Sequence, residues 1–294
     1  MRKKSKVEQM EEYIEKCKNE GHELFEFGCD RVHDFVCISK INPPACNKGN
    51  HRVVKIPSFV DELSFIAWHG FFSKDTLKNC DIYIPKGCKI ELEHPNYDFL
   101  RYFNYFVHEI VVAKDHEYYS SENGVLFNKD KTVLLSYPSY KKNKKYRIPD
   151  SVVQIAKGAF GKNNYLKNLY ISKNVVEIEE CPFGNWIKME VDPENATYKS
   201  IEGALYSIDG KIAYHLYAYG SEKVKIEEGT VIIKEVLWKG AFDELYLPGT
   251  VKYTKDWEKI RWFYQDIFKS IRSPQGLKPY FDNWKKNKID MIYY

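Results

Sequence analysis

The side chains best suited to chemistry are cysteines and histidines. Cys29, His33 and Cys37 lie close together, and so do Cys80, Cys88 and His94. Thiolates and imidazoles at short spacing are what a zinc site is built from. Neither group has the CxxC or HxxxH spacing of a structural site, so both read as ordinary thiols and surface histidines. No cofactor and no metal are expected. There is no GxGxxG, P-loop, HExxH or GxSxG, and no Ser-His-Asp or Cys-His arrangement stands out, so no enzyme is expected. The densest charge is Lys141-Lys142-Asn143-Lys144-Lys145-Tyr146-Arg147. It reads either as a solvated loop or as an anion or nucleic-acid contact. In the second case Lys141, Lys142, Lys144, Lys145 and Arg147 would bind phosphate, with Tyr140 and Tyr146 free to stack.

The chain around these residues has 294 positions, 44% of them hydrophobic, and a formal charge of +4 from 45 basic and 41 acidic side chains. This is a globular composition. Its balance argues against nucleic acid as the partner, because a nucleic-acid binder concentrates its basic residues in a patch or stripe. No stretch reaches the ~18 apolar residues of a membrane span. Met1 to Met10 is basic, but no apolar segment follows, and Glu8, Glu11, Glu12 and Glu15 do not suit a secretory leader. The expected location is the cytosol, unless a leader has been removed. The seven cysteines are odd in number and irregular in spacing, which in a cytosolic chain predicts free thiols.

The organisation of the chain lies in its repeats. Ile148, Val152, Ile155 and Phe160 recur 23 residues later as Ile171, Val175, Ile178 and Phe183. A longer copy overlays this one. Tyr119-Ser120-Ser121-Glu122-Asn123-Gly124-Val125-Leu126-Phe127 returns after 79 residues as Tyr198-Lys199-Ser200-Ile201-Glu202-Gly203-Ala204-Leu205-Tyr206. Asp209-Gly210 between two alternating runs signals a hairpin. Weaker copies run from Ile56 to Phe71 and from Ile82 to Ile90, and Leu245 to Val251 is the last. Val7, Met10, Ile14 and Cys17 share one face of a helix over residues 5–20, ended by Gly21. Trp257, Ile260, Tyr264, Ile267, Phe268 and Ile271 have helical spacing, and 277–287 suits a second helix.

The pattern Ile-Pro-x-x-Val-x-x-Ile-x-x-x-Ala-Phe, from Ile148 to Phe160, is followed by Leu-x-x-Leu-x-Ile, from Leu166 to Ile171. Together they resemble the BspA-type leucine-rich repeats of bacterial proteins. The match is strong over about 110–251. The resemblance implies a β-rich solenoid with short parallel strands per coil, inserted β-hairpins and helical N- and C-terminal caps. It implies no catalytic residues, and it implies adhesion to other proteins. The expected organisation is an N-terminal helical cap over 1–21, a degenerate repeat region over 22–110, repeats with two hairpin-containing units over 111–251, and a C-terminal helical cap over 252–294.

On such strands Leu169 and Ile171 point inward, as do Ile82 and Ile84, Met189 and Val191, and Leu245 and Leu247. Alternation then turns Tyr83, Tyr170, Glu190 and Tyr246 outward. These four are the candidate contacts for a protein partner of unknown identity. Two further expectations follow. Leu169-Tyr170-Ile171 should pair in parallel with Met189-Glu190-Val191, and Phe160, Phe183 and Phe242 should be core residues.

Overall fold

The computed structural model describes residues 3–20, 25–41, 52–63, 80–90, 107–161, 163, 165–179, 183, 187–217, 223–234, 242–252, 268–281 and 290–294. These fall into two compact units. The first comprises 1–142 with 156–164, and the second 143–155 with 165–294.

The first unit opens with helix α1 (Lys6–Glu20). Ser5 caps it in a reciprocal box: the Ser5 hydroxyl accepts the Glu8 N–H (3.1 Å), and the Glu8 carboxylate accepts the Ser5 N–H (2.8 Å). Val7 and Met10 are buried in the unit's core, and Tyr13 and Ile14 pack against it. Strands β1 (Phe25–Asp30) and β2 (Phe35–Ile41) are antiparallel. From β2 onward the short strands β4 (Glu62–Leu63) and β6 (Lys89–Ile90) stack in parallel, Ile38 on Leu63 on Ile90. A second parallel ladder joins β3 (Arg52–Lys55), β5 (Cys80–Ile84) and β7 (Val107–Val112). Here Val54, Ile82 and Ile110 face the core. Strands β8 (Tyr119–Glu122), β9 (Val125–Asn128) and β10 (Val133–Ser136) are antiparallel.

The second unit repeats the scheme. Its first ladder is β11 (Lys145–Arg147), β13 (Asn168–Ile171) and β15 (Lys188–Val191), all parallel. Leu169 pairs with Met189, Tyr170 with Glu190 and Ile171 with Val191, the expected strands in parallel but at an offset of 20 residues and not the 23 of the repeat. On the other side of each coil β12 (Gln154–Ile155) pairs with β14 (Glu177–Ile178). Strands β16 (Tyr198–Ile201), β17 (Ala204–Ser207) and β18 (Ile212–His215) are antiparallel. The last ladder is β19 (Lys223–Lys225), β21 (Phe242–Tyr246), β22 (Phe268–Ser273) and β23 (Asp290–Tyr293), and β20 (Ile232–Ile233) pairs with β18.

One turn recurs after the ladder strands. A carbonyl accepts the N–H three residues on: Pro57 from Val60 (3.1 Å), Pro85 from Cys88 (3.3 Å), Pro149 from Val152 (3.0 Å), Ser172 from Val175 (3.3 Å) and Pro248 from Val251 (3.2 Å). The residue ending each turn is buried. This is the physical content of Ile-Pro-x-x-Val: the residue after the isoleucine supplies the carbonyl that closes the turn, and the valine drops into the core. The weak early copies at Ile56 and Ile84 carry the same turn, so they are coils of the same kind.

The 79-residue copy is conserved down to single hydrogen bonds. Gly124 O accepts the Ile110 N–H (3.0 Å), and Gly203 O accepts that of Met189 (2.9 Å). Ser121 Oγ accepts Val112 N–H (2.9 Å), and Ser200 Oγ accepts Val191 N–H (3.1 Å). Each tight turn has two positive φ angles, 49° and 72° at Asn123-Gly124, 51° and 89° at Glu202-Gly203. A Cβ at Gly124 would lie 2.7 Å from Glu109 Cβ, and one at Gly203 would lie 2.8 Å from Lys188 Cγ. Glycine is therefore required twice over, for the turn and for the close approach.

Where a turn ends in a polar residue, its side chain is fully used. His116 Nδ1 accepts the Tyr118 and Tyr119 N–H groups (3.1 Å each), and its Nε2 donates to Cys88 O (3.0 Å). Asn195, at the equivalent place, accepts from Thr197 and Tyr198 (2.8 Å each) and donates to Ser172 O and Val175 O. The contacts fix His116 as the neutral tautomer protonated at Nε2.

The structure departs from expectation at the C-terminus. Helical spacing predicts a helix through Ile271, yet Phe268–Ser273 is strand β22, with Ile271 buried between Leu245 and Met291. Pairing with two neighbouring strands overrides the local period. Only a short helical stretch, Gln275–Leu277 then α2 (Lys278–Phe281), follows among the described residues. Phe71, Trp257, Ile260 and Tyr264 lie outside them, as does the side chain of Phe242.

Phe160 and Phe183 are core residues, at 0% and 5% exposure. Truncating either to alanine should cost about 3–5 kcal/mol in thermal or denaturant melts; wild-type melts for both would show the repeat register to be wrong. The buried histidines give a pH prediction. Burial lowers the His116 pKa, and lowers that of His215, whose Nε2 donates to Ile187 O, to about 4. A base with a depressed folded pKa contributes stability above its unfolded pKa and loses it as pH falls toward the folded value. For His215 that loss is roughly 2 kcal/mol between about pH 6.5 and about pH 5. The variant His116→Asn/His215→Asn should lose less melting temperature than wild type between about pH 7 and about pH 5. An equal loss would contradict the burial of both rings.

Candidate functional site

Strand alternation turns one side chain in two away from the core. In the second unit the register makes a row of Arg147, Tyr170 and Glu190 across β11, β13 and β15. Tyr170 is half-buried and Glu190 exposed. The Arg147 guanidinium sits 4.2 Å from the Tyr170 ring centroid. The Tyr170 hydroxyl donates to Asp192 Oδ2 (2.9 Å), and Arg147 lies 3.7 Å from the same carboxylate and 3.3 Å from Asp150. The Glu194 backbone N–H, with the Tyr170 hydroxyl, holds the Asp192 carboxyl below the usual carboxylate range.

Tyr246 has a similar setting on a different sheet. It lies between Lys225 and Arg272 in register, with the Arg272 guanidinium 5.2 Å from its ring centroid. Its hydroxyl donates to Glu244 (3.0 Å), which also pairs with Arg272 and with Lys223 (3.4 Å). The Arg272 hydrogen bond lowers the Glu244 pKa. Each tyrosine is thus roofed by arginine and tethered by a carboxylate. Such a cation–π contact adds about 0.5–1 kcal/mol at an exposed site, and it fixes the ring.

Tyr83 belongs to the first unit, half-buried between Lys55 and Val111. The candidate tyrosines therefore occupy three separate ladders. The structure brings Tyr170 and Glu190 together.

The basic run is not one loop. Lys141 belongs to the first unit; its side chain is only 8% exposed and pairs with Glu109 (3.3 Å). Lys145 and Arg147 are in β11, and Lys142 and Lys144 are exposed. Spacing along the chain reveals nothing of this partition, which follows from where the chain crosses between units.

Neither cysteine–histidine set gathers among the described residues. His33 Nδ1 instead bonds Asp30 (2.6 Å), which raises its pKa. Cys80 and Cys88 are buried, and burial pushes the Cys88 thiol up to about 12. His94 lies outside the described residues. The ligand-capable cluster that does form is Asp81, His108 and Glu109, with one ligand atom of each inside 4.8 Å of the others. Sequence reading missed it, because it joins residues on β5 and β7 through a bulge.

No protein-family model and no curated protein matches the chain. Solved structures do. A leucine rich cell surface protein from Faecalibacterium prausnitzii A2-165 is 16% identical, with a TM-score of 0.41 over 83% of this chain and 59% of that one. A leucine-rich repeat protein from Eubacterium ventriosum ATCC 27560 is 18% identical, with a TM-score of 0.33 over 70% and 61%. The pneumococcal vaccine antigen PcpA is 18% identical, with a TM-score of 0.38 over 83% and 68%. Within each unit the short parallel strands stack coil on coil, as in a β-solenoid. The chain spans less than two thirds of the length of the first two of these proteins. Among the described residues no helix is long and apolar enough to cross a membrane.

Proposed function

We propose that the chain is a non-enzymatic protein-interaction module, and that its partner docks on the ladder face centred on Tyr170 and Glu190. The observation that carries this reading is the immobilised Tyr170. Its ring is held under Arg147 and its hydroxyl is tied to Asp192, so little side-chain entropy remains to be lost on binding. Tyrosine and arginine are also the residue types that dominate interface energies. Tyr246 under Arg272, and Tyr83, offer comparable surface on their own sheets. The nucleic-acid alternative through Lys141 to Arg147 is weakened by the burial of Lys141 and by the occupation of Arg147.

In this reading the antiparallel segments β8–β10 and β16–β18 are insertions between coils, and α1 is an end cap. The free thiols Cys17, Cys29, Cys37, Cys80 and Cys88 suit a reducing compartment, so the module works in the cytosol.

A photo-crosslinking residue placed at Glu190 should capture a protein partner in the native cell. The same residue at Val176, exposed beside β14, should not. Tyr170→Ala should weaken the captured complex by ~2 kcal/mol or more. Crosslinking from Val176 alone, or equally from both, would remove this face from consideration.

A further inference from the structure

The Asp81–His108–Glu109 cluster has no part in that reading: His108 bonds Asp81, Lys141 pairs with Glu109, and one ligand atom of each of the three converges within 4.8 Å. We propose that these three side chains bind a divalent transition-metal cation of the zinc class. The site begins with a register irregularity. Cys80 pairs with Val107, but Asp81 pairs with Glu109, leaving His108 as the extra residue of a β-bulge. In a regular strand His108 and Glu109 would point to opposite faces. A bulge re-aims such a pair, and here both converge on Asp81.

The donors are well placed. His108 Nδ1 is 3.1 Å from Asp81 Oδ1, close to the roughly 3.3 Å between two ligands around a tetrahedral zinc with bonds of about 2.0–2.1 Å. The third ligand atom lies within 4.8 Å of both, so a modest rotation of the longer Glu109 side chain completes the triplet. Asp81 is fixed, with its side chain only 12% exposed. His108 and Glu109 are 24% and 36% exposed, which leaves coordination positions open to water. One imidazole nitrogen with two carboxylate oxygens suits zinc and its neighbours. Magnesium and calcium favour all-oxygen shells of six or more ligands.

The repeat supplies its own control. The equivalents of His108 and Glu109 in the second unit are Ile187 and Lys188, and Lys188 pairs with Asn168 in the register position that Asp81 holds beside Glu109. That unit folds with the same glycine turn and the same ladder. Folding therefore demands no Asp-His-Glu triplet. The nearby Lys141 ammonium, 3.3 Å from Glu109, acts as a competing cation and lowers the affinity.

The test is calorimetric titration of the full chain with zinc in metal-stripped buffer. A Cys29→Ser background removes, as a rival ligand, the thiol that is exposed among the described residues. One zinc per chain is expected, undiminished by excess magnesium or calcium. Asp81→Asn and His108→Gln should each weaken binding by about tenfold or more, whereas Lys141→Met should tighten it. Circular dichroism checks that each variant folds, and His108→Gln carries the test if Asp81→Asn does not. No uptake by folded wild type, or uptake unchanged in His108→Gln, would overturn the proposal.

Discussion

The structure depends on one small turn. A carbonyl at the end of a ladder strand accepts an N–H three residues later, and the residue that donates it is buried. The turn redirects the chain from one ladder to the short strand of the other, and it delivers one side chain to the core in each described coil that carries it. Inter-coil hydrogen bonds then need only continue the register, as from Ile148 to Tyr170 O and Ile226 to Tyr246 O. When the delivered residue is apolar the coil simply stacks. When it is His116 or Asn195, the buried polar side chain must find partners, and it finds them in backbone groups at the start of β8 or β16 and in the preceding coil.

The fold was legible because its period is written in apolar residues. The steps from Ile148 to Ile171 and from Val152 to Val175 match the stacking of β11 on β13 and β12 on β14, and the later copy of Tyr119 to Phe127 located the glycine turns. What remained hidden depends on contacts distant in sequence. Ile271 looks helical beside Ile267 and Phe268, yet its neighbours in space are Leu245 and Met291. Lys141 looks solvated within a lysine run, yet it is buried on Glu109. No spacing rule foretells the bulge at His108, because a bulge is a mismatch between two strands and not a property of one.

The candidate site was half legible. Alternation turned Tyr170 and Glu190 outward, and the register set them side by side. The arginine above each tyrosine was not foreseeable in the same way. Arg147 reaches Tyr170 from the preceding strand and Arg272 reaches Tyr246 from the following one, so the sequence offsets differ although the contact is the same. Carboxylates complete both arrangements from different places, Asp192 from beyond the next strand and Glu244 from the same strand. Similar chemistry was reached by two routes.

The central claim is that the two long copies are one structural unit used twice, each closing its ladder with a glycine carbonyl. Native-state hydrogen exchange of the full chain tests it directly. The amides of Ile110 and Met189, bonded to Gly124 O and Gly203 O, should both be strongly protected. Exchange of either at the rate of an open loop would contradict the account.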